Sequence, residues 1–201
     1  MHTLTAITAG LSTPSSTRQI AEQIAQATSE RLADGGREAD VSVIELRDLA
    51  ADLASAMTSG GLLTPQLQRA IERVTQSDGL ILVTPVFKAS YSGLFKMFFD
   101  ALDAQAIVGT PTVIAATAGS PRHSLVLDYA LRPLLSYLRA TIMPTGVFAT
   151  TEDFGGAESG ALTARIAKAG GELAQAIAGS APSAPAGEES FLGLLDQHAG
   201  G

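Results

Sequence analysis

Hydroxyl side chains are concentrated in one short segment near the N-terminus. Five of the six residues 12–17 are Ser or Thr, and the segment lies between an apolar run (residues 4–9) and a helical pattern that begins at Ser16. A helix N-terminus presents free N–H groups and partial positive charge, and hydroxyls add neutral donors, so the segment is suited to binding a phosphate group. The same residues also fit a plain helix cap, in which Ser16 and Gln19 form a capping box.

A second segment with unusual chemistry runs from residue 84 to residue 93. Pro85, Val86 and Phe87 follow the end of an apolar strand, and Lys88 comes next. Consecutive exposed apolar groups are unfavourable unless something covers them, and the flat isoalloxazine ring of a flavin would do so. Lys88 would then stabilise negative charge on the reduced ring. The alternative is that Phe87 lies in the core and Lys88 is a solvated surface charge.

The third segment, residues 117–123, also follows a predicted strand. Gly119 allows the backbone to approach a ligand closely, and its neighbours would hydrogen-bond the polar edge of a flavin. Arg122 and His123 end the segment. This pair would either meet the phosphates of a nicotinamide cofactor or line the site entrance as solvated surface groups.

Apolar periodicity predicts the elements that position these segments. Strand-length apolar runs alternate with amphipathic helical patterns, which is typical of a parallel sheet with helices on both faces. The predicted strands are residues 4–9, 41–46, 79–84, 112–117 and 141–150, the last one bent or interrupted at Pro144. The predicted helices are residues 16–32, a helix from Pro65 through Val74 with Thr64 as its N-cap, and residues 94–102, 124–139 and 162–178.

These elements predict an α/β fold, a flavodoxin-like three-layer sandwich whose five-stranded parallel sheet has the order 2-1-3-4-5. In that order the loops after the first and third strands are neighbours at the switch point, where open α/β sheets bind ligands. We predict one domain over residues 1–179, with residues 48–61 irregular. Residues 180–201 form a linker and a short apolar tail, which is either a disordered end or a segment that docks on a neighbouring subunit or partner.

Composition argues against several classes of protein. The chain has no cysteine, which excludes thiol catalysis and disulfides, and its three widely spaced histidines disfavour a metal site. A net charge of −7 argues against nucleic acid and anionic membranes as partners. No apolar run reaches the roughly 20 residues of a membrane helix, and no signal peptide is recognisable. We therefore expect a cytoplasmic protein. The dinucleotide-binding fingerprint and the P-loop motif are also absent.

Four stretches of the chain resemble the NADPH-dependent FMN reductase family. They are AGLSTPSSTR at 9–18, TPVFKASYSGLFKMFFDALD at 84–103, TAGSPRHSLVLDYALRPLLSYLRA at 117–140 and PTGVFATTEDFG at 144–155, of which the third is the most specific. Within the family, the chain is most similar to reductases paired with luciferase-like monooxygenases, including relatives of the reductase component of alkanesulfonate monooxygenase.

The resemblance implies a homodimer or tetramer with an FMN site in the three segments. Ser12, Ser16 and Thr17 would bind the FMN phosphate. Pro85, Val86, Phe87 and Lys88 would border the ring, and Thr117, Gly119 and Ser120 would close its far side. Phe87 stands where alkanesulfonate-type relatives often carry tyrosine, so a hydroxyl is missing there.

The implied reaction is hydride transfer from NAD(P)H to FMN, with reduced FMN passing to a flavin-dependent luciferase-like monooxygenase. No catalytic acid or base is expected, because the chemistry belongs to the two cofactors. Two alternatives stay open at this point: an FMN-containing quinone or azo reductase, and a non-enzymatic flavodoxin-like electron carrier. The sequence does not distinguish NADH from NADPH, nor FMN as substrate from FMN as held cofactor.

Overall fold

The computed structural model describes residues 1–154 and 159–180 and places six parallel strands in one sheet. The strands are His2–Thr8 (β1), Ala39–Glu45 (β2), Gly79–Pro85 (β3), Pro111–Ala118 (β4), Thr141–Ile142 (β5) and Val147–Thr150 (β6). Their order is β2-β1-β3-β4-β5, and β6 also pairs with β4. The predicted α/β fold and strand order are confirmed, with one strand more than predicted.

Helices cover both faces of this sheet. The α-helices of the described residues are Ser16–Asp34 (α1), Ala50–Thr58 (α2), Pro65–Thr75 (α3), Gly93–Asp100 (α4), Arg132–Tyr137 (α5) and Ser159–Gly179 (α6). On one face, α1 and α6 share a buried cluster with Leu4 and Ile81. On the other face, α2 to α5 share a second cluster with Ile7 and Leu82. Because both faces are covered, β3 and β4 are apolar and buried along nearly their whole length.

Caps mark the end of α1, two residues beyond the predicted one, and the start of α3, which is confirmed. Gly35 ends α1, and Gly36 follows with a φ of +69°, a conformation that glycine adopts without steric cost. Thr64 caps α3 by accepting a hydrogen bond from the Leu67 N–H at 3.2 Å, and Pro65 occupies the first helical position.

The last predicted strand, residues 141–150, is two strands. β5 pairs with the start of β4 and β6 with its end, and the gap between them contains Pro144. Proline has no N–H to donate to a ladder, so pairing stops there and resumes at Val147. The predicted interruption at Pro144 is confirmed, and it explains why the sheet has six strands and not five.

The prediction that residues 48–61 are irregular was wrong for residues 48–58 and holds only for 59–61. A 3₁₀ turn at Leu46–Leu49 leads directly into α2. Leu49, Leu53 and Ala56 are buried at helical spacing. The small residues around them weaken the apolar pattern, so a short buried helix looks like a loop.

The predicted helix over residues 124–139 is shorter, spanning residues 126–137, and is not a regular α-helix throughout. A 3₁₀ turn at Pro121–His123 comes first, then a π-helix at Leu127–Leu131, and only then α5. Pro133 cannot donate to the carbonyl four residues before it. In the π-helical turn the Arg132 N–H donates to the Leu127 carbonyl, five residues back, so the chain keeps its backbone bonds with a different period.

Among the described residues, no helix is both long enough and apolar enough to cross a membrane. The domain boundary at residue 179 stays a prediction. The apolar tail lies outside the described residues, as do residues 181–190 of the linker.

Candidate functional site

The three segments singled out above lie at one edge of the sheet. They follow β1, β3 and β4, which are adjacent and parallel, so their carboxyl ends meet there. Backbone hydrogen bonds extend this pairing into the loops. The Ala9 N–H donates to the Val83 carbonyl at 3.0 Å, and the Val86 N–H donates to the Thr117 carbonyl at 2.8 Å. The edge is therefore the switch-point crevice expected of the fold.

The first loop joins β1 to α1 and is packed tightly around Gly10. A Cβ atom at Gly10 would lie 2.0 Å from Thr17 Oγ1 and 2.4 Å from Ser15 Oγ. These two hydroxyls are 2.8 Å apart and hydrogen-bonded, and Thr17 is buried. Only glycine leaves room for this pair at the start of α1.

The predicted capping box of Ser16 and Gln19 was wrong by one residue. Ser15 is the N-cap: its backbone is extended, and its Oγ accepts a hydrogen bond from the Arg18 N–H at 3.3 Å. Because capping is done by Ser15, the exposed hydroxyls of Ser12 and Ser16 are free for another role. The N-terminus of α1, a helix of 19 residues, has the donors and the dipole that favour a phosphate.

The second loop contains a tight turn. Phe87 and Ser90 exchange both backbone hydrogen bonds, at 2.9 and 3.1 Å. Between them, Lys88 and Ala89 have φ angles of +49° and +66°. A two-residue turn of this kind needs positive φ at both central positions and normally uses Asn-Gly, so Lys-Ala makes it strained. Such strain persists where the surrounding structure holds it and is concentrated at functional sites.

The loop is fixed at both ends by buried groups. At its start, the buried Thr84 accepts a hydrogen bond from the Ser92 N–H at 3.0 Å. Ser92 in turn caps α4 by accepting from the Phe95 N–H at 3.2 Å. Phe87, by contrast, is 43% exposed. The alternative in which Phe87 is a core residue is therefore wrong, and Lys88 is likewise exposed.

The third loop leaves β4 beside the second. Thr117 is buried at the strand end, Gly119 is exposed, and a Cβ atom at Gly119 would meet no heavy atom within 4 Å. The Arg122 Nε donates to Ser120 Oγ at 3.1 Å, which orients its guanidinium. Open space at Gly119 is what a closely approaching ring would require.

A cavity of about 310 Å³ connects the turn of the second loop to the third loop. Its lining includes Ser90 from the turn, and Arg122, His123 and Tyr129 from the segment after β4. A larger cavity of about 460 Å³ lies between α1 and α6, and Arg37 lines it. That cavity is at the opposite edge of the sheet, because α1 ends there, so it is separate from the three loops.

The structure also brings Arg47 and Glu45 to the first loop, which the sequence did not predict. Arg47, in the turn after β2, donates from Nη1 to the Ser12 carbonyl at 2.8 Å and to Thr13 Oγ1 at 2.6 Å. Glu45 pairs with Arg47 and with Arg18 of α1. The only sequence signal for this group is that Glu45 and Arg47 flank the end of the second predicted strand.

Comparison with known proteins agrees with this geometry. The sequence model of the NADPH-dependent FMN reductase family matches residues 3–155, well over half of the chain. The chain belongs to the NADPH-dependent FMN reductase family. The resemblance seen in the four sequence stretches is thus confirmed.

Two curated relatives of this chain are named as NADH-dependent FMN reductases. The NADH-dependent FMN reductase SfnF of Pseudomonas fluorescens is 45% identical over 112 residues, which are 56% of this chain and 59% of that protein. The NADH-dependent FMN reductase SfnE of Pseudomonas putida is 39% identical over 163 residues, 80% of this chain and 84% of that protein. The chain thus spans about three fifths of the first relative and most of the second.

Solved structures confirm the fold. An oxidoreductase from Corynebacterium diphtheriae is 58% identical, with a TM-score of 0.87 over 90% of this chain and 99% of that one. A flavodoxin, WrbA-like protein from Agrobacterium tumefaciens is 16% identical, with a TM-score of 0.58 over 89% of this chain and 98% of that one. The second likeness shows the flavodoxin-like fold alone.

Proposed function

We propose that this protein is an NAD(P)H-dependent FMN reductase. The observation that carries the proposal is the adjacency of two loops at the switch point. One presents hydroxyls at the N-terminus of α1, and the other presents the exposed Phe87 on a strained turn. A phosphate and a flat apolar ring, joined by a short sugar chain, match these two surfaces. Membership of the FMN reductase family supports the same ligand.

In this proposal each loop holds a different part of FMN. The exposed hydroxyls of Ser12 and Ser16 and the backbone N–H of Thr17 bind the phosphate, aided by the dipole of α1. The Thr17 hydroxyl is buried against Ser15, so Thr17 contributes through its backbone. Pro85, Val86, Phe87 and Lys88 border the ring. The residues that close its far side are Thr117, Gly119 and Ser120. Lys88 places a positive charge beside the ring edge, which stabilises the reduced flavin.

When bound, FMN supplies the N5 atom that accepts a hydride from C4 of the nicotinamide. The chain then has to hold the two rings in contact, so orientation and not proton transfer is its main contribution. The cavity beside the turn offers the guanidinium of Arg122 and the imidazole of His123 for the charged part of NAD(P)H. We assign this cavity to the nicotinamide cofactor.

We further propose that reduced FMN is delivered to a flavin-dependent, luciferase-like monooxygenase. The similarity to reductases of that pairing supports this step. It requires FMN to be a substrate that leaves the site. Wild-type protein loaded with FMN should therefore lose most of the flavin on gel filtration, whereas flavin that co-elutes stoichiometrically would favour a held cofactor.

The family resemblance also implies a homodimer or tetramer, and we propose that the segment over residues 125–137 forms the contact. Leu125, Tyr129 and Tyr137 are each more than half exposed there. Several large apolar side chains exposed to solvent within one segment are typical of an interaction surface. A second copy of the chain is the occupant that the family implies.

Stopped-flow mixing tests the proposed activity. Protein and FMN are mixed anaerobically with NADPH or NADH, and the absorbances of flavin and nicotinamide are followed together. A reductase bleaches the flavin and the nicotinamide in one-to-one stoichiometry, at a rate proportional to the enzyme concentration. A quinone or azo reductase would retain its flavin and turn over only with those acceptors, and an electron carrier would bind FMN without oxidising NAD(P)H. Unaltered FMN fluorescence on titration would contradict the proposal outright.

A further inference from the structure

An ion-paired network links the end of β2 to the loop between β1 and α1, residues 9–15, which we call the hydroxyl loop. Glu45 is the last residue of β2, and its side chain is only 8% exposed. One carboxylate oxygen pairs with Arg18 Nη1 on the first turn of α1, and the other lies 2.8 Å from Arg47 Nη2. Arg47 then donates from Nη1 to the Ser12 carbonyl and to Thr13 Oγ1. A single carboxylate therefore connects both arginines to the loop.

The bond to the Ser12 carbonyl sets the direction of the Ser12–Thr13 peptide group. In a trans peptide the C=O and the following N–H point in opposite directions. With the Ser12 carbonyl directed at Arg47, the Thr13 N–H points away from it, and in the described part of the chain that N–H donates to no protein atom. Arg47 thus engages the Ser12 carbonyl oxygen and leaves the Thr13 N–H, on the other side of the peptide group, as a free donor.

The arginines of this network are already neutralised. Arg18 Nε is 2.7 Å from Glu22 Oε1, and Arg47 Nε is 3.8 Å from Asp48 Oδ1, in addition to their shared partner Glu45. The hydrogen bonds that Arg18 donates to Glu22 and to Glu45, the first being the larger cause, raise the pKa of Arg18. The two arginines are thus paired with three carboxylates, so their positive charge is fully compensated. The network supplies geometry to the loop, and little net attraction for an anion.

We propose that Arg47, held in place by Glu45, is a positioning residue that fixes the Ser12–Thr13 peptide for binding the phosphate of FMN. The inference rests on the proposed function, because it names how one end of the same site is kept in shape. It predicts a defect confined to the phosphate end. Flavin lacking the phosphate should hardly sense the loss of Arg47.

Comparing FMN with riboflavin tests this directly. Fluorescence titration of Arg47→Met should give a Kd for FMN raised about tenfold, while the Kd for riboflavin changes less than twofold. Arg47→Lys keeps the charge and one donor group, so its FMN affinity should lie between those of Arg47→Met and wild type. Arg37→Met is the matched control. Arg37 is exposed and precedes the same strand at the opposite edge of the sheet, so its Kd values should match wild type.

Glu45→Gln separates positioning from charge. Removing this carboxylate makes the surroundings of the loop more positive, so an effect of charge alone would tighten FMN binding. Loss of positioning would weaken it. We expect the Kd for FMN to rise three- to tenfold, with riboflavin again nearly unchanged. Tighter FMN binding by Glu45→Gln would overturn the inference.

Thermal melting accompanies each titration, so that a variant with altered folding is recognised. If Arg47→Met does not fold, Arg47→Lys and Glu45→Gln carry the test. Equal losses of FMN and riboflavin affinity, or no loss of either, would refute the role of Arg47. Failure of the proposed function looks different, because the wild-type protein itself would then bind neither flavin.

Discussion

At Gly10 the chain passes so close to the start of α1 that no side chain fits. The hydroxyls of Ser15 and Thr17 occupy the space that a Cβ atom would need. Both are short side chains, and Thr17 is buried, so neither can swing away freely. The hydrogen-bonded pair that shapes the hydroxyl loop therefore depends on a residue with no side chain.

We expect Gly10→Ala to weaken FMN binding at least tenfold and to lower the melting temperature. The added methyl group would separate Ser15 from Thr17 and displace the start of α1, an overpacking cost of about 1–3 kcal/mol. Gly93→Ala is the control, since a Cβ atom there meets nothing within 4 Å. Fluorescence titration and thermal melting measure both effects. Wild-type FMN affinity in Gly10→Ala would show that the hydroxyl pair is irrelevant to the site.

Gly119 offers the opposite test, because it has room for a side chain in the protein alone. We expect Gly119→Ala to leave the melting temperature within about 1 °C of wild type, as surface substitutions cost little. Its affinity should fall equally for FMN and riboflavin, about fivefold, because the methyl group would occupy space next to the ring and not the phosphate. Undiminished binding of both flavins would mean that the ring lies elsewhere.

The sequence could predict those site residues whose role follows from residue type alone. The hydroxyl cluster, the apolar run ending at Phe87 and the small Gly119 are all visible in the sequence. The choice of Ser15 over Ser16 as N-cap was not, because two adjacent serines differ only in backbone angles. Arg47 was also missed, since its partners on the loop lie 34 and 35 residues away in sequence.

At the scale of elements, the periodicity of apolar residues decided which strands and helices the sequence could predict. Uniformly apolar strands such as β3 and strongly amphipathic helices such as α3 were recognised. Two kinds of element were not. The helix α2 is short and rich in small residues, and the π-helix at Leu127–Leu131 changes period within an apolar stretch. Tertiary packing selects the helix at α2, whose small residues suggest a loop. At Leu127–Leu131 the missing N–H of Pro133 changes the hydrogen-bond period.

The contact between α1 and α6 gives a prediction at this scale. A Cβ atom at Gly170 of α6 would lie 2.8 Å from the Cβ of Ala27 and 3.0 Å from the backbone N of Thr28. The adjacent Gly171 meets only Arg31 side-chain atoms, at 3.9 Å or more. Replacing either glycine by alanine improves helix propensity by about 1 kcal/mol. Only the change at Gly170 forces two helix backbones apart.

We therefore expect opposite effects on the free energy of unfolding, measured by urea denaturation. Gly171→Ala should raise it by up to about 1 kcal/mol. Gly170→Ala should lower it by about 1–2 kcal/mol, because overpacking against backbone exceeds the gain in propensity. Since the two variants differ by one position on the same helix, each controls for the other. Equal stabilisation by both would show that α1 and α6 are less tightly packed than described.

At the scale of the whole molecule, alternation of strands and helices predicted a parallel sheet, and the flavodoxin arrangement for five strands gave its order. Parallel strands need crossover helices, and right-handed crossovers leave few arrangements. That order alone brings the loops after β1 and β3 together, so the place of the candidate site followed from topology. Surface features did not follow in this way. The exposure of Tyr129 and Tyr137 depends on which face of the π-helix and of α5 is turned toward solvent.

Oligomerisation is the prediction that belongs to the whole molecule. Tyr129 is 79% exposed on the π-helix, and Leu125, four residues earlier, is 62% exposed. Apolar surface removed from water contributes about 25 cal/mol per Å², so a tyrosine that is buried between copies stabilises the assembly by an amount that substitution can reveal. We expect Tyr129→Ser to shift the protein toward a smaller species on size-exclusion chromatography with light scattering.

The matched control for Tyr129→Ser is Leu62→Ser, which removes a comparably exposed apolar side chain outside residues 125–137. It should leave the molar mass unchanged. The reductase assay can be run on the same fractions. Because Tyr129 also lines the cavity assigned to NAD(P)H, the smaller species should show a higher KM for NAD(P)H with an unaltered Kd for FMN. A mass equal to wild type for Tyr129→Ser at all concentrations would place the contact between copies on another face.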